Sequence, residues 1–269
     1  MLSESNRRDA TDKKFDSNVT DCKFLNYLFV RLVAKKRHFT NVDFRFSIFD
    51  TCYLRDCTFD SCDFTGCRFV GTNLHGSCFS GCKFDYANFE RTIVDSGILA
   101  SECSPHENLK MRFARTLRMN FQQIGDAKAV NIAIGVELQA TGIHLHKCWN
   151  SSESYYRKKY MKWKRVRVFL EWLEFKVLDF TWGNGESTVK LLRAITVLLA
   201  LVTINDALVF RDPVLLKSYA EAMVEAPQIF VGTLVPTHYS AAYLTTIVFF
   251  RLVTFGFLMS IIIKRFNRR

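Results

Sequence analysis

Large apolar side chains return at every fifth position along the first third of the chain. From Phe24 the register runs through Phe29, Ala34, Phe39, Phe44, Phe49, Leu54, Phe59, Phe64, Phe69, Leu74, Phe79, Phe84, Phe89 and Val94, with Ala34 its one small member. Two places earlier stand small residues: Cys22, Ser47, Cys52, Cys57, Cys62, Cys67, Thr72, Ser77, Cys82, Ala87 and Thr92. A period of five fits neither an amphipathic helix nor an alternating strand. It predicts a solenoid whose wall turns a corner every five residues, with large side chains stacked on the axis and small ones beside them. No coil buries its row alone, so stability comes from the stacking of neighbours. The stretch 30–38 (VRLVAKKRH) breaks the pattern, and a bulge is expected there.

Beyond residue 100 the apolar spacing becomes helical. Ser104-Pro105 reads as a cap and first-turn proline. Leu109, Phe113, Leu117 and Phe121 follow on one face, Gly125-Asp126 breaks the run, and Ala129, Ile132, Val136 and Leu138 mark a second helix. Residues 105–148 are therefore expected to form a helical hairpin. Residues 155–180 are basic first, then aromatic and apolar, with Tyr156, Tyr160 and Trp163 expected on one helical face and Phe169, Trp172 and Leu173 following. Two long apolar runs come next. Leu191–Phe210 is about 30 Å long as a helix, the thickness of a bilayer core, and Tyr239–Ile263 spans with tilt. The 28 residues between them exceed what a plain hairpin needs. Within them Tyr219–Ala226 reads as a short helix ended by Pro227.

Charge sharpens this picture. The net balance is +11, but Lys and Arg concentrate between Arg157 and Lys176 and again at Lys264, Arg265, Arg268 and Arg269. The connection between the apolar runs carries only Arg211 and Lys217. Basic residues flanking apolar spans report the cytoplasmic side, which places both termini in the cytoplasm and the protein in the cell inner membrane as a multi-pass chain. The first eighteen residues are polar, lack the apolar core of a secretory signal and read as a disordered start. Nine cysteines, six of them in one register of five, are read as free thiols of a reducing compartment.

The five-residue register, with segments such as TFDSCDFTGCRF and NLHGSCFSGCKFDYANF, resembles the pentapeptide-repeat family. That resemblance implies a right-handed, four-sided β-helix, with about four coils from Val19 to Val94. Some members of that family are acidic mimics of DNA that protect topoisomerases. Between Asp21 and Asp95 ten Lys and Arg face nine Asp and Glu, which argues against mimicry and for a scaffold or docking module. In a four-sided coil, successive cysteines of the ladder would lie on successive faces. Zinc sites need close pairs, so these thiols are read as small buried hydrophobes. The pattern LR…F…IGDAKAVNIAIGVE resembles the helical hairpin that follows pentapeptide repeats in bacterial channel proteins. WGNGESTVKLLR at 182–193 resembles the WGYG-x-x-P-x-R-x-L lead-in to the first span of those channels.

The order of span, short helix, turn and span resembles the two-span potassium-channel pore. On that alignment Val231-Gly232-Thr233-Leu234-Val235-Pro236-Thr237 takes the place of the family's YGDxxPT region, and Gln228, Ile229, Phe230, Val231, Gly232 and Thr233 become the candidate filter. A potassium filter stacks backbone carbonyls, usually from TVGYG. Here Phe230 replaces the first glycine and Val231 the tyrosine, so potassium selectivity is not carried over.

Within the second span stands Arg251, where a charge facing lipid costs at least ~2.5–3.5 kcal/mol. Asp206 is an intramembrane counter-charge, but it lies roughly 6 Å from the outer end of its helix against roughly 18 Å for Arg251. Glu221 and Glu225 on the short helix are the better-placed partners. Arg251 then either clamps that helix or lines the pore. Arg157, Lys158, Lys159, Lys162, Lys164, Arg165 and Arg167, interleaved with aromatics, form a basic patch. It suits an anionic leaflet, at about 1 kcal/mol per basic residue, or a nucleotide or single-stranded nucleic acid. His144 and His146, near Cys148, are read as solvated rather than as metal ligands.

No catalytic constellation and no phosphate-cradling loop are present, and no cofactor is expected. The expected architecture is mixed. A disordered stretch 1–18 precedes a pentapeptide-repeat β-helix at 19–100, cytosolic helices at 101–187, and a two-helix transmembrane pore unit with a re-entrant pore helix at 188–269. The expected function is a tetrameric ion channel in contact with membrane lipids. Its cytosolic part would hold it closed until a nucleotide, nucleic-acid or protein regulator acts, by analogy as a toxic effector in phage defence. A membrane-anchored scaffold or sensor without conduction is the alternative.

Overall fold

The computed structural model of the chain describes residues 7–267, with side chains to Phe266. Residues 1–6 of the expected tail, and Arg268 and Arg269 of the charge argument, lie outside the described residues. The chain divides into two compact units, the first ending at Val168 and the second running from Phe169 to Asn267.

Eleven short parallel strands build the first part of the first unit: β1 (Arg8–Thr11), β2 (Val19–Thr20), β3 (Tyr27–Val30), β4 (Val33–Lys35), β5 (His38–Thr40), β6 (Ile48–Asp50), β7 (Tyr53–Arg55), β8 (Thr58–Asp60), β9 (Arg68–Val70), β10 (Cys78–Ser80) and β11 (Asn88–Glu90). They pair in the orders β1-β3-β6-β9-β11, β10-β8-β5-β2 and β4-β7, and a fourth wall is closed by the bridges Lys23↔Asp43, Asp43↔Asp63 and Asp63↔Lys83. Partners such as Leu28↔Ile48, Val33↔Tyr53 and His38↔Thr58 stand twenty residues apart. The degenerate stretch 30–38 keeps this register, so the bulge expected there does not form.

The solenoid starts earlier than residue 19. β1 pairs with β3 at an offset of nineteen (Arg8↔Tyr27), because the wall between Lys14 and Val19 is one residue shorter than the wall between Val33 and Phe39 stacked on it. A strict step of five therefore loses this coil. Residues 8–11 were expected to be disordered, and backbone pairing orders them instead.

Each corner needs one residue in the left-handed region. Positive φ recurs at every fifth position from Asp21 to Arg91, between 49° and 70°. Gly, Asn and Asp carry this most cheaply, and they fill many of these corners. Inside, the phenylalanines stack in columns. Phe64 lies face to face with Phe44 and Phe84, at 5.1 and 5.0 Å between ring centroids. The small residues two places earlier are buried for a second reason. Ser47, Cys52, Cys67, Thr72 and Ser77 donate from their side chains to the carbonyls of Phe24, Phe29, Phe44, Phe49 and Leu54, each twenty-three residues back. The ladder thus selects side chains that are both small and able to donate.

Burial pushes the Cys52 thiol up from 9.0 to about 11, and raises Cys67 further. The fold favours the neutral thiol, so this contribution to stability is complete below pH 9.0 and is lost as pH rises through about 11. Alkylation of the folded protein near pH ~8 is expected to modify exposed Cys78 and to spare Cys52, Cys57, Cys62 and Cys67. Peptide mass mapping checks this, and rapid modification of those four would contradict the ladder.

Helix α1 (Ile98–Ser101) leaves the solenoid, followed by α2 (Glu107–Ile124) and α3 (Ala127–Asn150). The hairpin is as expected at its turn. Gly125 takes φ 77° as the cap of α2, and the Asp126 side chain accepts from Ala129 N at 2.9 Å. It begins two residues later than Ser104-Pro105 implied, with His106 at the N-cap. On α3 the buried face is Ala129, Val130, Ala133 and Ala140, while Ile132 is exposed. Alanines allow α2 to lie close, which the larger residues of the expected stripe would not.

Helix α2 also closes the end of the solenoid, standing where a further coil would lie. Asn120 Oδ1 accepts from Thr92 N at 2.7 Å and its Nδ2 donates to Thr92 O at 2.8 Å. Gln123 accepts from Arg91 N, and Glu102 of the preceding turn accepts from Cys82 N. Phe113 extends the ring column at 5.5 Å from Phe84. Polar side chains thereby satisfy backbone groups that an open edge would leave bare.

Short α4 (Ser154–Lys159) precedes α5 (Trp163–Trp182), and α6 (Thr188–Phe210), α7 (Leu216–Val231) and α8 (Ala241–Asn267) complete the second unit. Both α6 and α8 are long and apolar enough to cross a membrane, and little of either is buried within the chain.

Candidate pore element and its polar anchor

α7 lies between the two apolar helices and is held at both ends. It buries Ser218, Ala222, Ala226 and Ile229, a face whose small side chains let it approach α6 closely. Ile229 and Ala226 share a small core with Val202, Tyr239 and Ile247. The helix runs through Pro227 to Val231, whereas the sequence suggested that Pro227 ends it. Proline removes one internal hydrogen bond, and the packed Ala226 and Ile229 carry the helix past it. Gly232 ends it with φ 91°.

The end of this unit where α6 gives way to α7 holds a polar cluster centred on Arg211. Asp206, 1% exposed, accepts from Arg211 Nε at 2.6 Å and from the Tyr239 hydroxyl at 2.7 Å, with His238 Nε2 3.5 Å away. The other two nitrogens of the same guanidinium reach Glu221 at 3.2 Å and Glu225 at 2.6 Å. One arginine, in the connection just after α6, therefore ties the last turns of α6 to two turns of α7. The sequence assigned Glu221 and Glu225 to Arg251. They bind Arg211 instead, which lies beside the start of α7 and presents the fork that several carboxylates can share.

Arg251 has a different partner. Its Nη1 donates to the carbonyl of Val231 at 2.8 Å, the last residue of α7, and it crowds Gly232 so closely that a Cβ there would collide with Nη1. This contact ties α8 to the end of α7. The candidate filter residues do not form an extended strand. Gln228, Ile229, Phe230 and Val231 are helical. The Gln228 carbonyl accepts from Gly232 N, Thr233 N, Leu234 N and Thr233 Oγ1.

The WGNG segment forms an elbow between α5 and α6, with Gly183, Asn184 and Gly185 all at positive φ. The elbow is pinned to the far end of α8. Trp182 stacks on Phe257 at 4.1 Å, and Lys264 lies over Trp182 and 3.7 Å from Glu186. Lys190 pairs with Asp179 at 2.6 Å across the elbow.

In the basic segment Arg157, Lys158, Lys159, Lys162, Lys164, Arg165 and Arg167 are all exposed. Tyr156, Tyr160 and Trp163 do not share one helix face, because the chain breaks between α4 and α5 at Lys162, with φ 47°. Tyr156 instead packs with Cys148 and Val168, and its hydroxyl lies 3.4 Å from His144 Nδ1. Burial lowers the His144 pKa and raises that of Tyr156 to about 12. His144 Nε2 is 3.5 Å from Cys148 Sγ, and His146 points to Asn150.

Residues 38–76 match the family model of pentapeptide repeats in eight copies. Among solved structures, the chain is similar to a trypsin-treated form of QnrB1, a plasmid-mediated fluoroquinolone resistance protein, at 17% identity and TM-score 0.21, over 33% of this chain and 63% of that one. A second trypsin-treated form aligns at 15% identity and TM-score 0.20, over 32% and 81%. The chain thus spans less than two thirds of the first of these. No curated protein matches in sequence. The protein is a pentapeptide-repeat β-solenoid joined to helices that end in two candidate membrane-spanning segments.

Proposed function

We propose that the chain is the subunit of an oligomeric ion channel in the cell inner membrane, with α6 and α8 spanning, α7 re-entrant and both termini cytoplasmic. The observation that carries this reading is the anchoring of α7. A loop that merely joins two anchors has no need of an arginine shared among Asp206, Glu221 and Glu225 at one end and a mid-span arginine clamping the other. Intramembrane charges are costly and are kept where a polar path or a built element requires them. One copy offers too little wall to enclose water, so several must surround the path. Closed symmetry is the usual solution, and four is the number implied by the resemblance to two-span potassium channels.

The path is bordered by residues 228–235 outside and by α8 below. Strong potassium preference is not expected, because residues 228–231 are helical rather than extended, and the carbonyls of Gln228 and Val231 are already taken by Gly232, Thr233 and Leu234 and by Arg251. The solenoid and helices of the first unit hold the pore closed until a cytosolic nucleotide, nucleic-acid or protein signal arrives, as a toxic effector of phage defence would require. The basic segment 157–167 faces anionic lipid or that signal.

Flux from proteoliposomes tests conduction, with the purified particle's mass measured alongside. A monomer without flux overturns the channel and leaves a membrane-anchored scaffold. Arg251→Gln is expected to insert normally but to change gating or selectivity several-fold in planar bilayers, since α7 loses its clamp. An unchanged current would remove Arg251 from the mechanism.

A further inference from the structure

α5 carries an apolar stripe that the chain itself leaves largely exposed, although the Arg193 guanidinium lies 4.4 Å over the ring of Phe180 at its end. Trp163, Val166, Leu170, Leu173, Val177 and Phe180 are each between 43 and 84% exposed, and they follow one another at steps of three, four, three, four and three. That alternation is the a/d seam of a heptad repeat, with Trp163, Leu170 and Val177 at one position and Val166, Leu173 and Phe180 at the other. The helix has a second apolar set, Val168, Trp172 and Phe175, and these are buried or half-buried within the chain. One face of α5 is thus used internally while the seam is left over.

We infer that α5 pairs through this seam with α5 of further copies of the chain, forming a short parallel coiled coil beneath the membrane unit. The inference rests on the oligomeric reading above and assigns the surface through which the copies meet. Two observations select a second copy as occupant. First, α5 joins α6 through the tight Gly183-Asn184-Gly185 elbow, so copies inserted in one orientation present their α5 helices parallel and at the same height, as an in-register seam requires. Second, charges of both signs, Glu174 and Lys176, border the seam beyond the basic segment. A face resting on an anionic leaflet would favour cations alone, whereas mixed charges beside an a/d stripe are the flanks of a coiled coil. The seam covers fewer than three heptads, too short to hold alone, so it works together with contacts inside the membrane.

Disulfide trapping tests this in the full chain, in native membranes, with exposed Cys78 changed to Ser. Val166→Cys and Leu173→Cys are expected to give oxidation-dependent dimers at least ten-fold more efficiently than Lys164→Cys and Glu171→Cys, one turn position off the seam. Equal trapping at all four sites, or none at any, overturns the inference. Quenching of Trp163 fluorescence by brominated lipid, absent trapping, would place the stripe on lipid and overturn it too. Particle mass and flux separate this result from the channel reading. An oligomer that conducts without seam crosslinks loses the coiled coil alone, and seam crosslinks in a particle that never conducts keep the coiled coil and lose the channel.

Discussion

Phe64→Asp is expected to abolish folding of the first unit, and Phe64→Ala to destabilise it by about 3–5 kcal/mol. Phe64 is 1% exposed and sits mid-column. It stacks on Phe44 and Phe84 and meets Phe49, Phe59 and Phe79 edge-on or tilted. Among the described residues no lysine or arginine of the solenoid is buried, so an aspartate there is a buried charge without a partner. Solenoid coils are stabilised by their neighbours, and a failure at one level propagates to both sides. Trypsin digestion of the full chain in detergent reads the outcome. Cleavage is expected at Arg45, Arg55, Arg68 and Lys83 in the Asp variant and not in the parent protein. A variant that stays resistant and melts as the parent does would mean that the column is not what holds the solenoid.

The solenoid was legible because its signal is one-dimensional. Every fifth side chain does the same job, so Phe24 to Val94 could be assigned without knowing any contact. What escaped was whatever breaks the step or is carried by backbone. The first coil runs at nineteen residues, and its axial Phe15 and Ala10 fall off a strict count of five. The corner positions hold Arg31, Lys36, Phe46 and Tyr86 as well as Gly and Asn, so composition blurs a conformational rule that the structure displays at every turn. Capping by Asn120 and Gln123 is set by how α2 meets the last coil, a long-range relation that spacing cannot encode.

In the second unit, length and apolarity marked both candidate spans, and Asp206, Glu221, Glu225 and Arg251 were singled out by type. Their pairing was not legible. Arg211 lay outside the apolar runs and looked like a loop cation, while depth along idealised helices favoured Glu221 and Glu225 for Arg251. The extension of α7 through Pro227 carried Val231 to Arg251. The two glutamates, on the part of the helix expected from sequence, face Arg211 at its other end. A local rule about proline, overridden by packing of Ala226 and Ile229, hid the Val231 contact, and the two glutamates were misassigned because Arg211 was read as part of the connection alone.

Arg211→Met should be the most damaging single change in the second unit. Asp206 is almost wholly buried and takes its shortest hydrogen bond from Arg211 Nε. Removing the guanidinium strands that carboxylate with only the Tyr239 hydroxyl in close contact and frees Glu221 and Glu225 to repel one another across a helical turn. Breaking a buried pair by deleting one member costs about 3–5 kcal/mol, more than the pair contributes when intact, because the survivor stays desolvated. Asp206→Asn should therefore be milder by itself, since an amide keeps the Tyr239 contact without demanding a cation. The double variant should recover part of the loss, a coupling of at least ~1 kcal/mol for groups in one network. Thermal unfolding of the four proteins in one detergent measures this, and protease sensitivity of the 211–216 connection reports whether α7 has come loose. If Arg211→Met and Asp206→Asn simply add, the two side chains do not act as a pair, and the anchoring of α7 must be sought in the apolar contacts of Ala226 and Ile229.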